Sequence, residues 1–438
     1  MKKTDVFDFE KKEHIENRQV TALRTILKTA QDKSRYYRKL FRKISISYRD
    51  LRSLDDLKKF PITTKDDLRN NNWEFCAAEQ SKWCDVFFTS GTIGDPIFIP
   101  YTYNDLMIRL SNTAANPMLA AGIKKNDKVQ LTLPLGTRMW QAGLAYWLGN
   151  MQNRSCSLRF GPTPLEYQVE NMQLLKPSVI LGSPSFLIKL GTLAREKEIF
   201  KKFRPRVILT IGENILNENL QMNVLGTHLE KVWGGTQIRS GYGNTEGGFG
   251  AFECAFHRGH HLASQFTIIE VIDPKTSLAV PEGKLGNLVV TTLQTEGLPL
   301  IRYATGDITF ALKGSCPCGR NSPRIGPIIG RIDQQIKIKG VKIYPQFIEN
   351  ILLEIPAIDL YYIESFKDKH LAEQLRIRVS LKNTGQPKQA LKVINNHLCS
   401  KLGFSVELSL EPREKILAKI MSKGTKPTRF FDLKNIPV

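Results

Sequence analysis

Three hydroxyls and two glycines crowd the stretch Phe88-Thr89-Ser90-Gly91-Thr92-Ile93-Gly94-Asp95-Pro96, between the apolar runs Val86–Phe88 and Ile97–Ile99. Hydroxyls donate hydrogen bonds, and glycine lets backbone N–H groups turn toward a ligand and approach it closely. Such a hairpin tip suits phosphate oxygens; as a bare pattern it also suits an ordinary turn. It is not the common nucleotide P-loop, because no Gly-Lys-Ser/Thr closes it. A second motif, Ser240-Gly241-Tyr242-Gly243-Asn244-Thr245-Glu246-Gly247-Gly248, offers an aromatic face, a hydroxyl and a carboxylate within five residues. Those groups suit stacking on a base, a hydrogen bond to phosphate and a hold on Mg²⁺. In Ile301-Arg302-Tyr303-Ala304-Thr305-Gly306-Asp307, an acid following a strand can accept from ribose hydroxyls. Cys316-Pro317-Cys318, with Cys254, His257, His260 and His261 upstream, offers thiolate and imidazole donors of the kind that bind tetrahedral zinc. The Cys-x-Cys spacing is tighter than the usual Cys-x₂-Cys, so the pattern leaves zinc open.

These groups lie far apart in the chain, so a large scaffold must gather them. At 438 residues, 41% hydrophobic and 24% charged, the chain has the make-up of a globular protein of two or three domains. Apolar runs such as Val129–Leu133, Val179–Gly182 and Val207–Gly212 alternate with helical stretches over residues 80–310, which predicts an α/β core with a largely parallel sheet. Residues 9–70 read as helical, with Val20, Leu23, Ile26 and Leu27 at helical spacing. Residues 264–312 read as a small antiparallel sheet or barrel. The boundary is expected after Gly330-Arg331-Ile332, giving a domain over 1–332 and a small α+β domain over 333–438. No apolar run reaches about 18 residues, so no membrane span is expected, and an N-terminus without an apolar segment together with seven scattered cysteines fits a reducing cytoplasm. Cys76, Cys84, Cys156 and Cys399 are expected to be buried thiols.

The net charge is +21; residues from Asp333 onward carry 18 Lys/Arg and 11 Asp/Glu, and the remaining +14 is read as spread over 332 residues. A diffuse field of this kind argues for anionic small molecules or an acidic carrier protein rather than nucleic acid.

Taken in order, the motifs resemble the adenylate-forming ligase superfamily of acyl-CoA synthetases, and most closely its phenylacetate–coenzyme A ligase branch. Tyr36–Phe41, Leu54–Lys65 and Lys176–Ser185 are similar to that branch as well, so the resemblance spans nearly the whole chain. It implies a two-step reaction. A carboxylic acid, aromatic by preference, attacks the α-phosphate of ATP to give an acyl-adenylate; coenzyme A, or the phosphopantetheine of an acidic carrier protein, then displaces AMP. It also implies roles. Thr89, Ser90, Gly91, Thr92 and Gly94 hold the β- and γ-phosphates. Tyr242 and Gly243 meet adenine, Thr245 the α-phosphate, and Glu246 holds Mg²⁺. Asp307 and Arg331 bind ribose, and Asp333 is the hinge. Trp140, Gly212, Glu213, Ser240 and Gly241 line the acid. Cys254, His261, Cys316 and Cys318 correspond to a structural zinc site. The bridging lysine falls at Lys426, with Lys423 the alternative. A homodimer is compatible with the resemblance. The chain departs from the family's Ser-Gly-Thr-Thr-Gly-Lys-Pro loop: Ile93 replaces a threonine and Asp95 the lysine, which removes one cation from beside the triphosphate.

Overall fold

The structure, a computed structural model, describes residues 7–89, 96–136, 139–161, 163–338, 341–367, 373–382, 386–422 and 427–433. Its internal contacts divide the chain into two units, residues 1–222 with 226–328 and residues 329–438 with 223–225.

The first unit opens with helices. In α1, Lys12–Lys33, the residues Leu23, Ile26, Leu27 and Ala30 are buried, the stripe that places one helix face on a core. Ser34 then caps α2, Arg35–Lys43, by accepting from the Tyr37 N–H, and Tyr37 and Phe41 point inward one turn apart. Thr64 and Asp67 form a reciprocal capping box at the start of α3, Lys65–Asn70.

The centre of the unit is a five-stranded parallel sheet. Its strands are β3 (Lys128–Leu131), β4 (Cys156–Arg159), β5 (Val179–Gly182), β6 (Val207–Thr210) and β7 (Gln237–Arg239), in the order β4-β3-β5-β6-β7. Helices Gln141–Asn153, Leu165–Leu175, Pro184–Glu196 and Val224–Trp233 connect successive strands. Every residue of β5 and β6 is buried, as expected when helices cover both faces of a parallel sheet. Before it stands the hairpin of β1 (Trp83–Phe88) and β2 (Phe98–Thr102), paired from Trp83↔Thr102 to Phe88↔Phe98. After it come two antiparallel sheets. One contains β8 (Gly241–Asn244), β9 (Phe249–Glu253), β10 (His260–Leu262) and β14 (Arg324–Ile325). The other contains β11 (Thr267–Ile272), β12 (Gly286–Thr292) and β13 (Tyr303–Thr309), and supplies the strand-rich segment expected over 264–312.

The second unit has its own core, including Ile338, Ile348, Ile363, Ile377 and Leu398. Strands Ile358–Lys367 and Glu373–Leu381 pair antiparallel; Glu407–Leu410 and Phe430–Asp432 flank them in parallel.

The cysteine expectation needs correction. Cys84 and Cys156 are exposed, while Cys76 and Cys399 are half-buried. Cys84 lies on the outward face of a two-stranded hairpin and Cys156 begins the edge strand β4, so neither position is covered. Among the described residues, no helix is long and apolar enough to cross a membrane.

Candidate active site and metal centre

The hydroxyl-rich stretch joins β1 to β2 along the chain. Its first residue, Thr89, is tied down by its N–H to the Ile97 carbonyl at 3.1 Å. Among the described residues the buried Thr89 hydroxyl has no hydrogen-bond partner, and an unmet buried hydroxyl costs about 1–3 kcal/mol. Ser90, Gly91, Thr92, Gly94 and Asp95 lie outside the described residues.

The second and third motifs meet. Tyr242, on β8, donates its phenol to Asp307 Oδ2 at 2.6 Å, which fixes the ring between the two sheets. The turn after β8 carries Thr245, whose carbonyl accepts from Gln141, and Glu246, whose side chain is only 8% exposed. A buried carboxylate needs a charged or donor partner. Glu246 has two: the Lys65 ammonium at 3.0 Å and the Tyr303 hydroxyl at 3.3 Å. The chain folds Lys65 to this point through Thr63. Its N–H donates to the Arg302 carbonyl at 3.0 Å, its carbonyl accepts from the Ala304 N–H at 2.8 Å, and its hydroxyl donates to the Ile301 carbonyl at 2.8 Å. The tether thus runs along the start of β13, beside Tyr303.

Two further residues shape the turn. Arg109 is buried and donates to the carbonyls of Gly247 (2.7 Å), Gly248 (3.2 Å) and Leu293 (3.0 Å). Burial pushes its pKa down, offset by Tyr101 and Asp105. Burial pushes the Asp105 carboxyl up against the pull of the Glu296, Thr102 and Gly297 N–H groups. Gly248 has φ +57°, and a Cβ there would come within 2.2 Å of the Tyr101 hydroxyl and 2.8 Å of Arg109 Nη1, so only glycine fits.

The candidate acid-lining residues gather at the C-terminal ends of the parallel strands, the side where open α/β sheets bind ligands. Gly212 follows β6, Ser240 and Gly241 follow β7, and Trp140 precedes the helix Gln141–Asn153. The Trp140 indole N–H is buried and has no partner among the described residues. Ser240 is pinned on both sides: its N–H donates to Glu253 Oε2 (3.0 Å), and its hydroxyl lies 3.0 Å from His260 Nε2. Glu213 accepts from the N–H and hydroxyl of Ser185 at 2.9 and 2.7 Å, so its carboxylate caps the helix Pro184–Glu196. Of the two aromatic residues on the helix that Trp140 precedes, Tyr146 is a core side chain against Phe252, and Trp147 is half-covered beneath the Arg159 guanidinium.

Cys254, His261, Cys316 and Cys318 converge, their donor atoms all within 4.8 Å of one another. Cys254 Sγ lies 3.5 Å from Cys316 Sγ, and Cys318 Sγ lies 3.5 Å from His261 Nε2. Sulfurs bound at 2.3 Å to a tetrahedral metal would sit about 3.8 Å apart, close to this spacing. Burial pushes the Cys254 thiol up to about 12 and, with Arg320 and Arg324, pulls His261 down to about 3. A neutral imidazole beside thiols suits a cation, which reverses the cost that burial puts on ionising Cys254. His257 and His260 stay out of the cluster. His257 lies 3.1 Å from Arg239 Nη1, and His260 is held by Ser240 and Gly326.

In the second unit, Arg331 Nε lies 3.5 Å from Asp333 Oδ1. Lys423 and Lys426 lie outside the described residues. The segment that follows is anchored: Thr428 N–H donates to the Ile420 carbonyl, and the Arg429 carbonyl accepts from Ile363 N–H, both at 2.7 Å.

A parallel α/β sheet with glycine-rich turns on its ligand-binding edge, followed by a separate α+β unit, is the architecture of an adenylate-forming enzyme. Residues 23–295 match the AMP-binding enzyme family and residues 340–434 the AMP-binding enzyme C-terminal domain; the chain belongs to the AMP-binding enzyme family. It is 32% identical to the phenylacetate-coenzyme A ligase of Thermus thermophilus over 75% of this chain and 72% of that protein. It is 27% identical to the Escherichia coli K12 enzyme of the same name over 95% and 94%. Among solved structures, 2-hydroxyisobutyryl-CoA ligase in its postadenylation state aligns with a TM-score of 0.82 at 20% identity, covering 98% of this chain and 91% of that one.

Sequence reasoning missed Lys65 and Arg109. One signal existed for Lys65. A cation at the first position of a helix opposes the helix dipole, so a lysine straight after the Thr64 cap asks for a carboxylate elsewhere. Arg109 left no signal, because its partners are backbone carbonyls far along the chain.

Proposed function

We propose that this protein joins a carboxylic acid, aromatic by preference, to the thiol of coenzyme A in an AMP-forming reaction driven by ATP. The observation that carries this reading is the meeting of Tyr242 with Asp307 and of Glu246 with Lys65 on the ligand-binding edge of the fold. In the first half-reaction a carboxylate oxygen of the acid attacks the α-phosphorus of ATP, and the bond to the β-phosphate oxygen breaks, releasing pyrophosphate. In the second, the thiol sulfur attacks the acyl carbonyl carbon, the thiol proton is lost, and the bond to AMP breaks. Phosphoryl transfer draws mainly on positioning and charge neutralisation, and the residues divide accordingly. Tyr242 and Gly243 meet adenine; Asp307 and Arg331 take the ribose hydroxyls. Thr245 meets the α-phosphate. Thr89 and the loop residues Ser90, Gly91, Thr92 and Gly94 hold the β- and γ-phosphates, and Lys65 supplies a cation that the loop, with Asp95, does not. Trp140, Gly212, Ser240 and Gly241 face the acid, while Glu213 orients the neighbouring helix. Lys426 bridges carboxylate and α-phosphate, and the 333–438 domain turns about Asp333 between the half-reactions. The Glu246 carboxylate is a hard oxygen donor that fits Mg²⁺, which supplies charge neutralisation on the phosphates. Cys254, His261, Cys316 and Cys318 fit a structural zinc that ties β9 and β10 to the 316–318 loop.

Pyrophosphate release measured with a panel of aromatic and aliphatic acids, with and without coenzyme A, tests the reading. Acid-dependent release and formation of the acyl-CoA are expected. Release without acylated coenzyme A shifts the acceptor to a carrier protein; ATP binding without release for any acid refutes the ligase reading.

A further inference from the structure

The positive charge is not evenly spread. Between Arg24 and Arg52 the chain carries ten Lys/Arg and two Asp/Glu, a net +8 within 29 residues. The fold gathers part of this charge around a concavity of about 450 Å³ between α1 and the turn Tyr48–Arg52, lined by Arg24, Thr25, Lys28, Tyr48, Arg49 and Arg52 together with Leu51. That volume lies within the range of small-ligand pockets. No carboxylate among the described residues lines it. Among the described residues, none of the four cations has an ion-pair partner, whereas Lys39, of the same basic segment, pairs with Glu74 at 3.0 Å. The one acid in the turn, Asp50, is turned back to accept from the Ser47 N–H at 2.7 Å.

The cavity walls are fixed by the fold. Arg24 Nε donates to the Leu51 carbonyl at 2.9 Å, which joins helix to turn. The Tyr48 N–H donates to Gln31 Oε1 at 3.2 Å. The Arg49 guanidinium lies 5.6 Å from the Tyr48 ring centroid, and the Arg24 and Lys28 side chains lie one helical turn apart. Like charges at this spacing repel, so the arrangement costs stability until an anion lies among them. Guanidinium forks and an ammonium around a small concavity match phosphate oxygens, and the phenol adds an aromatic edge.

We propose that this cleft binds a small phosphorylated polyanion, a nucleotide di- or triphosphate or a free polyphosphate, at a second site that shares no residue with the candidate active site. Equilibrium dialysis of the full chain with labelled inorganic tripolyphosphate, and separately with labelled ADP, tests it against the double variant Arg49→Gln, Arg52→Gln. Wild type is expected to show a saturable component that weakens with added salt and is weakened at least about tenfold in the variant, the loss of charge-assisted hydrogen bonds. Acid-dependent pyrophosphate release should stay unchanged. If labelled ADP shows the same component, the ligand class is nucleotide; if only tripolyphosphate does, it is free polyphosphate. Isotherms that superimpose for wild type and variant, or no saturable component with either probe, overturn the proposal. Should the double variant melt early, the exposed single change Lys28→Gln carries the same comparison.

Discussion

Replacing Lys65 by methionine keeps most of the side chain's length and removes its charge. In the folded chain that charge sits 3.0 Å from Glu246 Oε1, with Lys65 25% exposed and Glu246 8%. At an effective dielectric of about 20 the gross attraction is about 5 kcal/mol, but the exposed flank of the lysine and the desolvation of both groups reduce the net effect to about 1–2 kcal/mol. The larger consequence is expected in catalysis. One preorganised charged donor beside a developing phosphate charge is worth about 10²–10³ in rate; a partly solvated one belongs at or below the lower end. Lys65→Met is therefore expected to slow acid-dependent pyrophosphate release by about tenfold to a hundredfold, with a raised KM for ATP. Thioester formation from a supplied acyl-adenylate should stay near wild type, and Lys65→Arg should recover part of the loss. A coupled pyrophosphate assay and a single-turnover thioester assay separate the two steps. If both half-reactions fall equally, Lys65 is only a structural partner of Glu246; if neither changes by more than about twofold, its role near phosphate is wrong.

Other changes probe different parts of the molecule. Arg109→Met strips a donor from three carbonyls, those of Gly247, Gly248 and Leu293, and should destabilise the fold by about 3–5 kcal/mol in urea unfolding; a loss below about 1 kcal/mol would mean that water reaches those carbonyls. Burial pushes Cys76 from 9.0 to about 12, and burial with the Asp67 charge pushes Tyr36 from 10.0 to about 12. The unfolded chain sheds these protons first, so their contribution is complete below about pH 9 and declines as pH rises toward 12. Urea midpoints at pH 8, 9.5 and 11 should fall in that order. Elemental analysis should find about one zinc per chain, and Cys316→Ser should lower both metal content and melting temperature; a metal-free wild type of unchanged stability would refute the site. Lys426→Ala should impair adenylate formation and spare thioester formation, and equal loss in both would remove it from its assigned position.

The fold was legible where one element's periodicity decides its fate. The apolar runs that became β3, β5 and β6, and the helical stripe at Leu23, Ile26 and Leu27, carry their burial in local spacing. The site was legible where chemistry is compact in sequence, as in Tyr242 to Glu246 or Cys316-x-Cys318. The resemblance gave Tyr242 and Asp307 separate roles; their hydrogen bond across 65 residues had no signal, since no spacing rule reaches that far. Exposure was misjudged for Cys84 and Cys156, because residue type predicts burial only on average, whereas edge position decides it here. The resemblance placed Glu213 among the acid-lining residues; its two bonds to Ser185 add a capping role that only the three-dimensional position of the helix Pro184–Glu196 reveals.

The charge pattern joins these points. Reading the net charge as a total hid one local fact. The loop carries Asp95 where the family has a lysine, and the chain has a cation at the start of α3, where the helix dipole disfavours it. Thr64, Asp67 and the Thr63 bridge to β13 hold that unfavourable position, and Glu246 then neutralises it. A residue placed against its own helix's field and matched by a buried carboxylate from a distant turn is not explained by local stability. It is explained if the pair opens toward phosphate, the ammonium moving to the anion and the carboxylate to a metal ion. Lys65→Met should ease the helix end by less than it costs to leave Glu246 buried beside the Tyr303 hydroxyl, so stability and rate should both fall. Raising ionic strength should weaken ATP binding less in that variant than in wild type, since one of the charges it screens is gone.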